Sequence, residues 1–473
     1  MNRDITVCKF GGSTLKTAQD YRRVASIISA KPGKVIAVVS ATCGVTDLLV
    51  RSLEECRHNN SAASRYSQEF LSLHEKIAKT SSNEMLAQKL ESALFNAYSG
   101  HNPKLNDYVL SFGERASAVL LGHFLGKQYL VLDSEAAGIA SNGVFGNASC
   151  DVEKTSEGFS KVLAESKNRG FVITGFYGVD ADGNVNLFGR GGSDYSAGVL
   201  AAVSSAKTLE LYKDVPGFLA ADPKMVKNPM LLEGVSFSEA SELGYFGAKI
   251  IHPRTFDPLC GSGIDVQIRP VFEPNSIGTI IKEQPDAPCD VAAIASRKNI
   301  SLVEIYGGGM VNSFGVAAEV FSRMAKNHIS IDAIATSQTN ISFTIDQSCS
   351  LKASQALEVL SLERPDVVWV FKVTNDQAMV SAVGAGLTQE AISRAIMRLY
   401  KSGVDIKMTS FGASKISFSA VIDASFEKDA VSALYSEFFS SKKGAPKAKA
   451  SAAIAVMAKS VTKAAAKKAG KAK

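Results

Sequence analysis

A lysine at the end of a β-branched apolar run, backed at once by two glycines, brings an ammonium and free backbone N–H groups to one spot: Lys9, Gly11 and Gly12 in KFGGS (9–13). That cluster suits a transferring phosphoryl group, because glycine lets the main chain approach an anion and a cation offsets its charge. Two more glycine-rich segments follow apolar runs, ITGFYG (173–178) and FGRGGSD (188–194). The second sets Arg190, Ser193 and Asp194 in a glycine loop just before an Ala-rich helix, where a guanidinium can grip a carboxylate through two bonds. SFGERASAVLL (111–121) opens a helix with Glu114, which either receives a substrate ammonium or is an ordinary first-turn acid favoured by the helix dipole. YKDVPGFLAADPK (212–224) carries Asp214, Asp222 and Lys224 around two prolines, as a loop shaped around a nucleotide would. GYFGAKIIHP (244–253) adds Lys249, and Lys9 with Lys249 could clamp the β- and γ-phosphates. His252 reads as a satisfied core or turn histidine, not a catalytic base. Neither G-x-x-x-x-G-K-[ST] nor G-x-G-x-x-G occurs, so a nucleotide must be cradled in another way.

Such residues act only when rigid elements aim them. The first half alternates apolar runs with helical patterns: ITVCKF (5–10), KVIAVVS (34–40), YLVLDS (129–134), FVITGFYG (171–178) and TLELYKDV (208–215). Runs of this type between helices predict a buried, largely parallel sheet and an α/β fold class. Residues 61–100 are polar and helical in pattern, an insertion or a lid. After the proline-containing stretch 284–289 a weak repeat appears. SLVEIYG (301–307) echoes AMVSAVG (378–384), and NISFTID (340–346) echoes KISFSAVID (415–423), each pair about 75 residues apart. Two copies of a small α/β unit are expected, each strand, helix, strand, strand, helix, with helices at 315–326, 351–361, 389–402 and 425–439.

The net charge of +6 is misleading, because residues 440–473 carry ten lysines and no acid. The rest of the chain is mildly acidic. The excess positive charge thus belongs to an Ala/Lys-rich tail that reads as disordered, so nucleic acid is not expected as a partner except at that tail. The seven cysteines are scattered without a C-x-x-C pair or metal-ligand spacing, so no metal centre is predicted. No apolar run long enough to span a membrane occurs, and the N-terminus enters a strand-like segment directly, which predicts a cytoplasmic protein.

The ordered set KFGGS, VSATCGVTDLL (39–49), SFGER, GFYG, GRGGSDYSA, KDVPG, ADP and FGAKIIHP resembles the amino-acid kinase family and, within it, the aspartokinases. The resemblance covers roughly residues 4–439. It implies an α/β/α sandwich over 1–283, then two ferredoxin-like (βαββαβ) ACT modules. The first module would span 301–377, inserted within a second made of 284–300 and 378–439, with the tail at 440–473. Carried over by motif, Ser40, Thr46, Glu114, Arg190 and Ser193 would bind L-aspartate, Glu114 taking the ammonium and Arg190 the α-carboxylate. Lys9, Lys249 and Asp194 would be catalytic. Lys9, Gly11, Gly12, Lys213, Asp214, Leu219, Lys224 and Lys249 would bind ATP with Mg²⁺, and no tightly held prosthetic group is implied. Leu219 and Lys224 depart from the pattern, which can place an aromatic and an arginine there. Met310, Ser313, Gly315, Asp332 and Ser337 match an amino-acid effector site, with lysine slightly favoured, although Gln338 replaces the usual glutamate. Homo-oligomerisation through the ACT modules is likewise implied. The rivals are a kinase of glutamate, acetylglutamate or UMP, and an inactive amino-acid-binding regulator. A fused homoserine dehydrogenase is not expected, the tail having no room for a Rossmann domain.

Overall fold

Runs rich in Val, Ile and Ala become central parallel strands when helices cover both faces of the sheet, which removes the need for polar alternation. The computed structural model of this chain describes residues 4–100, 102–166, 170–248, 250–284, 289–307, 310, 313–365 and 370–440. By contact the chain divides into two units: Met1–Phe218, Leu232–Gly244 and Lys249–Asp286 in the first, and Leu219–Leu231, Tyr245–Ala248 and Ala287 onward in the second. The Ala/Lys tail from 441 lies outside the described residues, as does Lys249.

In the first unit the strands are β1 (Ile5–Phe10), β2 (Lys34–Val39), β3 (Tyr129–Leu132), β4 (Gly170–Thr174), β5 (Tyr177–Val179), β6 (Val185–Leu187), β7 (Thr208–Lys213), β8 (Gly234–Ser236), β9 (Asp265–Pro270) and β10 (Thr279–Lys282). Its helices are α1 (Ala18–Ser29), α2 (Val45–Cys56), α3 (Ala62–Glu75), α4 (Ser81–Phe95), α5 (Pro103–Leu125), α6 (Val152–Glu165), α7 (Gly192–Val203) and α8 (Phe237–Leu243). Eight strands form one sheet in the order β3-β4-β2-β1-β7-β9-β10-β8, while β5 and β6 form a separate hairpin. From β3 to β9 every pair is parallel, and only β10 runs antiparallel to its neighbour β9. Strand order reverses beside β1, with β2 on one side and β7 on the other, the position at which α/β sheets open a crevice beyond their carboxyl ends. Cys8, Phe10, Val35, Ala37 and Val39 share an apolar cluster with α1 and α5, and α7 packs against β1, β2 and β7. The 61–100 segment is helical as its pattern predicts. Phe70, Leu90 and Leu94 of α3 and α4 share a core with α2 and α5, which anchors the segment as a packed insertion.

The second unit contains β11 (Ala293–Tyr306), α9 (Val316–Lys326), β12 (Ile331–Thr336), β13 (Asn340–Asp346), α10 (Ser350–Glu363), β14 (Val370–Val383), α11 (Gln389–Lys401), β15 (Ile406–Ser410), β16 (Ser417–Asp423) and α12 (Glu427–Phe439). Its six strands lie in the antiparallel order β12-β13-β11-β14-β16-β15. The two long central strands each serve twice. Residues 300–306 of β11 pair with β13 on one side and with 370–377 of β14 on the other, while 293–297 pair with 379–383 of β14, and the register shifts between the two halves. Two βαββαβ units therefore share one sheet, and the fourth strand of the second unit comes from 293–297, upstream of the first. Among the described residues no helix is long and apolar enough to cross a membrane.

Candidate active site

The carboxyl ends of β1, β2 and β7, the middle of α5 and the loop leading into α7 deliver the residues that the motifs singled out. A cavity of about 430 Å³ opens there, lined by Lys9, Gly12, Ser40, Thr46, Glu114, Phe176, Arg190, Ser193 and Asp194, among others. β1 and β7 are adjacent, so Lys9 and Lys213 come to the same carboxylate: Lys9 Nζ lies 2.6 Å from Asp194 Oδ1 and Lys213 Nζ 2.8 Å from Oδ2. The three charges sum to one positive charge. Burial alone would raise the Asp194 carboxyl, but Lys213 and Lys9 hold it well below the usual carboxylate range. Burial also lowers the Lys9 ammonium, and Asp194 opposes that fall. Buried pairs of this kind persist when every charge has a partner.

Two local expectations need correction. Glu114 does not open a helix; it sits midway along α5, so the helix dipole does not explain it. Ser193 and Asp194 are not in the loop before the helix but in the first turn of α7, where backbone N–H groups favour an acid. Arg190 remains in the loop, exposed at the mouth of the cavity. Glu114 is buried, its Oε1 accepts the Ala41 N–H at 2.9 Å, and its Oε2 has no hydrogen-bond partner among the described residues. Burial pushes its carboxyl up to about 8, against the pull of the Ala41 amide and the Lys9 charge. A buried carboxyl that lines a cavity with one oxygen unpartnered is a place for an incoming cation.

The approach of α5 to this loop depends on Gly113. A Cβ there would stand 2.7 Å from the Ala41 Cβ. Gly113→Val is therefore expected to push α5 off the Ala41 loop, lowering stability by about 1–3 kcal/mol as overpacking does. Thermal melts of the purified variant read the loss.

Other predicted residues are not among those that line this cavity. Asp214 is exposed at the end of β7, and Gly11 sits beside the Lys9 ammonium. Leu219 and Lys224 belong to the second unit, Leu219 bridging to Leu231 and the Lys224 amide donating to Asp222. His252 caps a short turn, its Nδ1 accepting the Arg254 N–H, which makes it the satisfied turn histidine that its context suggested. In the second unit Met310 is buried in the α9–α10 core, Gly315 caps α9, and the Ser337 hydroxyl accepts the Asn340 amide. Ser313 is half-buried beside them. Asp332 is already engaged, with Arg297 at 2.9 Å and the Tyr245 hydroxyl. The motifs did not single out Phe176, Thr42 or Asp47 of the cavity lining. Phe176 holds a left-handed backbone (φ 81), a strain that bulky residues rarely bear and that no sequence pattern announces.

Comparison with known proteins places these features. The model of the amino acid kinase family matches residues 4–270, and that of an ACT domain matches 303–359 and 380–438. An aspartokinase of Bacillus sp. (strain MGA3) is 32% identical over 352 residues, covering 72% of this chain and 84% of the relative. The structure of Escherichia coli aspartokinase III with lysine and aspartate covers 92% of this chain and 100% of its own at 26% identity, with a TM-score of 0.78. The same enzyme with aspartate and ADP gives 27% identity, the same coverage and a TM-score of 0.76.

Proposed function

The chain belongs to the amino acid kinase family, and within it to the aspartokinases, and from that premise we propose that it transfers the γ-phosphoryl group of ATP to the β-carboxylate of L-aspartate. The products are β-aspartyl phosphate and ADP, the first step toward lysine, threonine and methionine. The observation that carries this reading is one cavity lined by Arg190, Lys9, Asp194 and a Glu114 whose Oε2 has no partner among the described residues, with Lys213 paired to the same Asp194. A free α-amino acid needs one cation and one anion matched, and Arg190 with Glu114 supplies both. Ser40, Thr46 and Ser193 complete the substrate contacts.

A carboxylate is already nucleophilic at neutral pH, so no general base is required. Catalysis is alignment plus charge neutralisation. Lys9 stabilises the transferring group, Lys213 faces the nucleotide phosphates, and Asp194 fixes both ammonium groups before substrate arrives. Pre-set dipoles and charges need no reorganisation when the transition state forms. Gly11, Gly12, Asp214, Leu219, Lys224 and Lys249 complete the nucleotide contacts in this reading, with Lys249 also catalytic. Exposed Asp214 would be an acid able to meet a Mg²⁺ ion brought in with the nucleotide, and that ion would supply charge neutralisation.

We assign the second unit to amino-acid sensing and self-association, with module limits of 301–377 for the first and 284–300 plus 378–439 for the second. Met310, Ser313, Gly315, Asp332 and Ser337 form the effector site, lysine slightly favoured, and the lysine-bound E. coli relative supports this. An effector ammonium must then displace Arg297 or Tyr245 from Asp332. A cytoplasmic location belongs to the same reading. The test of function is ADP formation with aspartate against glutamate, together with Arg190→Ala. That variant should lower kcat/KM for aspartate at least ~10-fold with little change for ATP. Equal weakening of both substrates would remove Arg190 from the aspartate site.

A further inference from the structure

Arg254 does not line the cavity, yet its side chain makes four hydrogen bonds around the loop that does. Its Nη1 donates to the Phe188 carbonyl at 2.8 Å and to Asn147 Oδ1 at 3.0 Å. Its Nη2 donates to the Ala148 carbonyl at 2.7 Å and to Ser149 Oγ at 3.3 Å. The guanidinium also lies over the Tyr195 ring, 4.9 Å from its centroid. Phe188 and Tyr195 are the residues that flank the segment from Gly189 to Asp194. One planar group therefore holds the entry and the exit of the loop that carries Arg190, Ser193 and Asp194. The 147–149 segment it recruits packs closely on the same loop. A Cβ at Gly189 (φ +72) would stand 2.8 Å from Asn147 Oδ1.

Resting on the reading that Arg190 binds the α-carboxylate of aspartate, we propose that Arg254 is the positioning residue that sets the Arg190 loop, and thereby the affinity for the amino-acid substrate, without touching that substrate. The geometry requires arginine. Its donors form a rigid fork that serves two main-chain carbonyls at once, whereas the lysine ammonium is a point on a flexible stem and reaches one. Loss of the fork leaves a carbonyl unserved on the loop and lets Arg190 drift, and small misplacements at a binding group have large effects on affinity.

Steady-state kinetics of Arg254→Lys and Arg254→Met test this, varying aspartate and ATP separately. The expected result is a KM for aspartate raised about tenfold or more in both variants, with KM for ATP within about twofold of wild type. Failure of lysine to rescue identifies geometry, not charge, as the cause. Wild-type KM for aspartate in both variants would overturn the proposal, as would an equal rise in both KM values. Should neither variant be soluble, Asn147→Ala removes one of the four bonds and should raise KM for aspartate alone by a smaller factor. No change in that variant would equally overturn it. Wild-type protein run alongside separates the two claims. Absence of aspartate-dependent ADP formation by wild type refutes the substrate assignment, whereas normal wild-type turnover with unmoved variants refutes only the role of Arg254.

Discussion

Asp194→Ala is expected to lower folding stability by about 3–5 kcal/mol, because it strands two ammonium groups that share one buried carboxylate. Lys9 and Asp194 have side chains only 6% and 8% exposed, so water cannot take over as partner. Lys9→Met should behave differently. It leaves Asp194 paired with Lys213, so the fold persists, but it removes the cation proposed to meet the transferring phosphoryl group and should cut kcat by about 10²–10³-fold. Denaturant titration and saturating-substrate ADP formation on the two variants separate the structural from the catalytic effect. Near-wild-type kcat in Lys9→Met would place the phosphoryl group elsewhere. The cluster also predicts acid sensitivity. Asp194 is held below its ordinary range, so its stabilisation is present above the unfolded carboxylate pKa and is lost as pH falls toward the folded one.

The second large effect is a pH dependence of aspartate binding that belongs to Glu114. Its folded carboxyl is pushed up to about 8, so in the empty protein it is mostly protonated at neutral pH. An ammonium beside it favours the ionised form, and binding aspartate below that pH must therefore expel a proton. Affinity should rise about tenfold per pH unit between roughly pH 6 and 8 and then level off. Stability without ligand runs the other way. A raised folded pKa contributes stability that is complete below the ordinary glutamate pKa and is lost as pH climbs through about 8. Glu114→Gln keeps the shape and should flatten both profiles while weakening aspartate binding. Calorimetric titration in two buffers of different ionisation heat counts the proton. Aspartate binding without proton release at pH 7, unaffected by Glu114→Gln, would assign the ammonium to another group.

Much of this was legible in the chain because the signals are local. KFGGS, GRGGSD and the alternating apolar runs report strand ends and helix starts within a few residues, and backbone sterics act over that range. The doubled C-terminal unit was legible for the same reason, since each copy repeats one hydrophobic pattern. The helix start expected at SFGER was misplaced because α5 begins after Asn102 at Pro103, and a glycine in SFGER looks like a helix boundary when it is a contact with Ala41. The long strands β11 and β14 could not be divided from pattern alone. Both halves of β11 pair with β14, while β13 joins only 300–306 of β11 and β16 only 377–383 of β14, and sheet order decides which strand lies alongside.

The sequence by itself determined the chemistry available, namely which cations, carboxyls and glycines the chain carries and which strands and helices hold them, because side-chain identity and local propensity are properties of neighbouring residues. Tertiary structure alone decided how those groups are charged and aimed. The sharing of Asp194 by Lys9 and Lys213 follows from the pairing of β1 with β7, two strands about 200 residues apart whose adjacency is set by sheet order. The elevated carboxyl of Glu114 and the grip of Arg254 on Phe188 and Ala148 have the same origin. Desolvation and hydrogen-bond geometry depend on what packing brings near, and the order of residues along the chain does not state it.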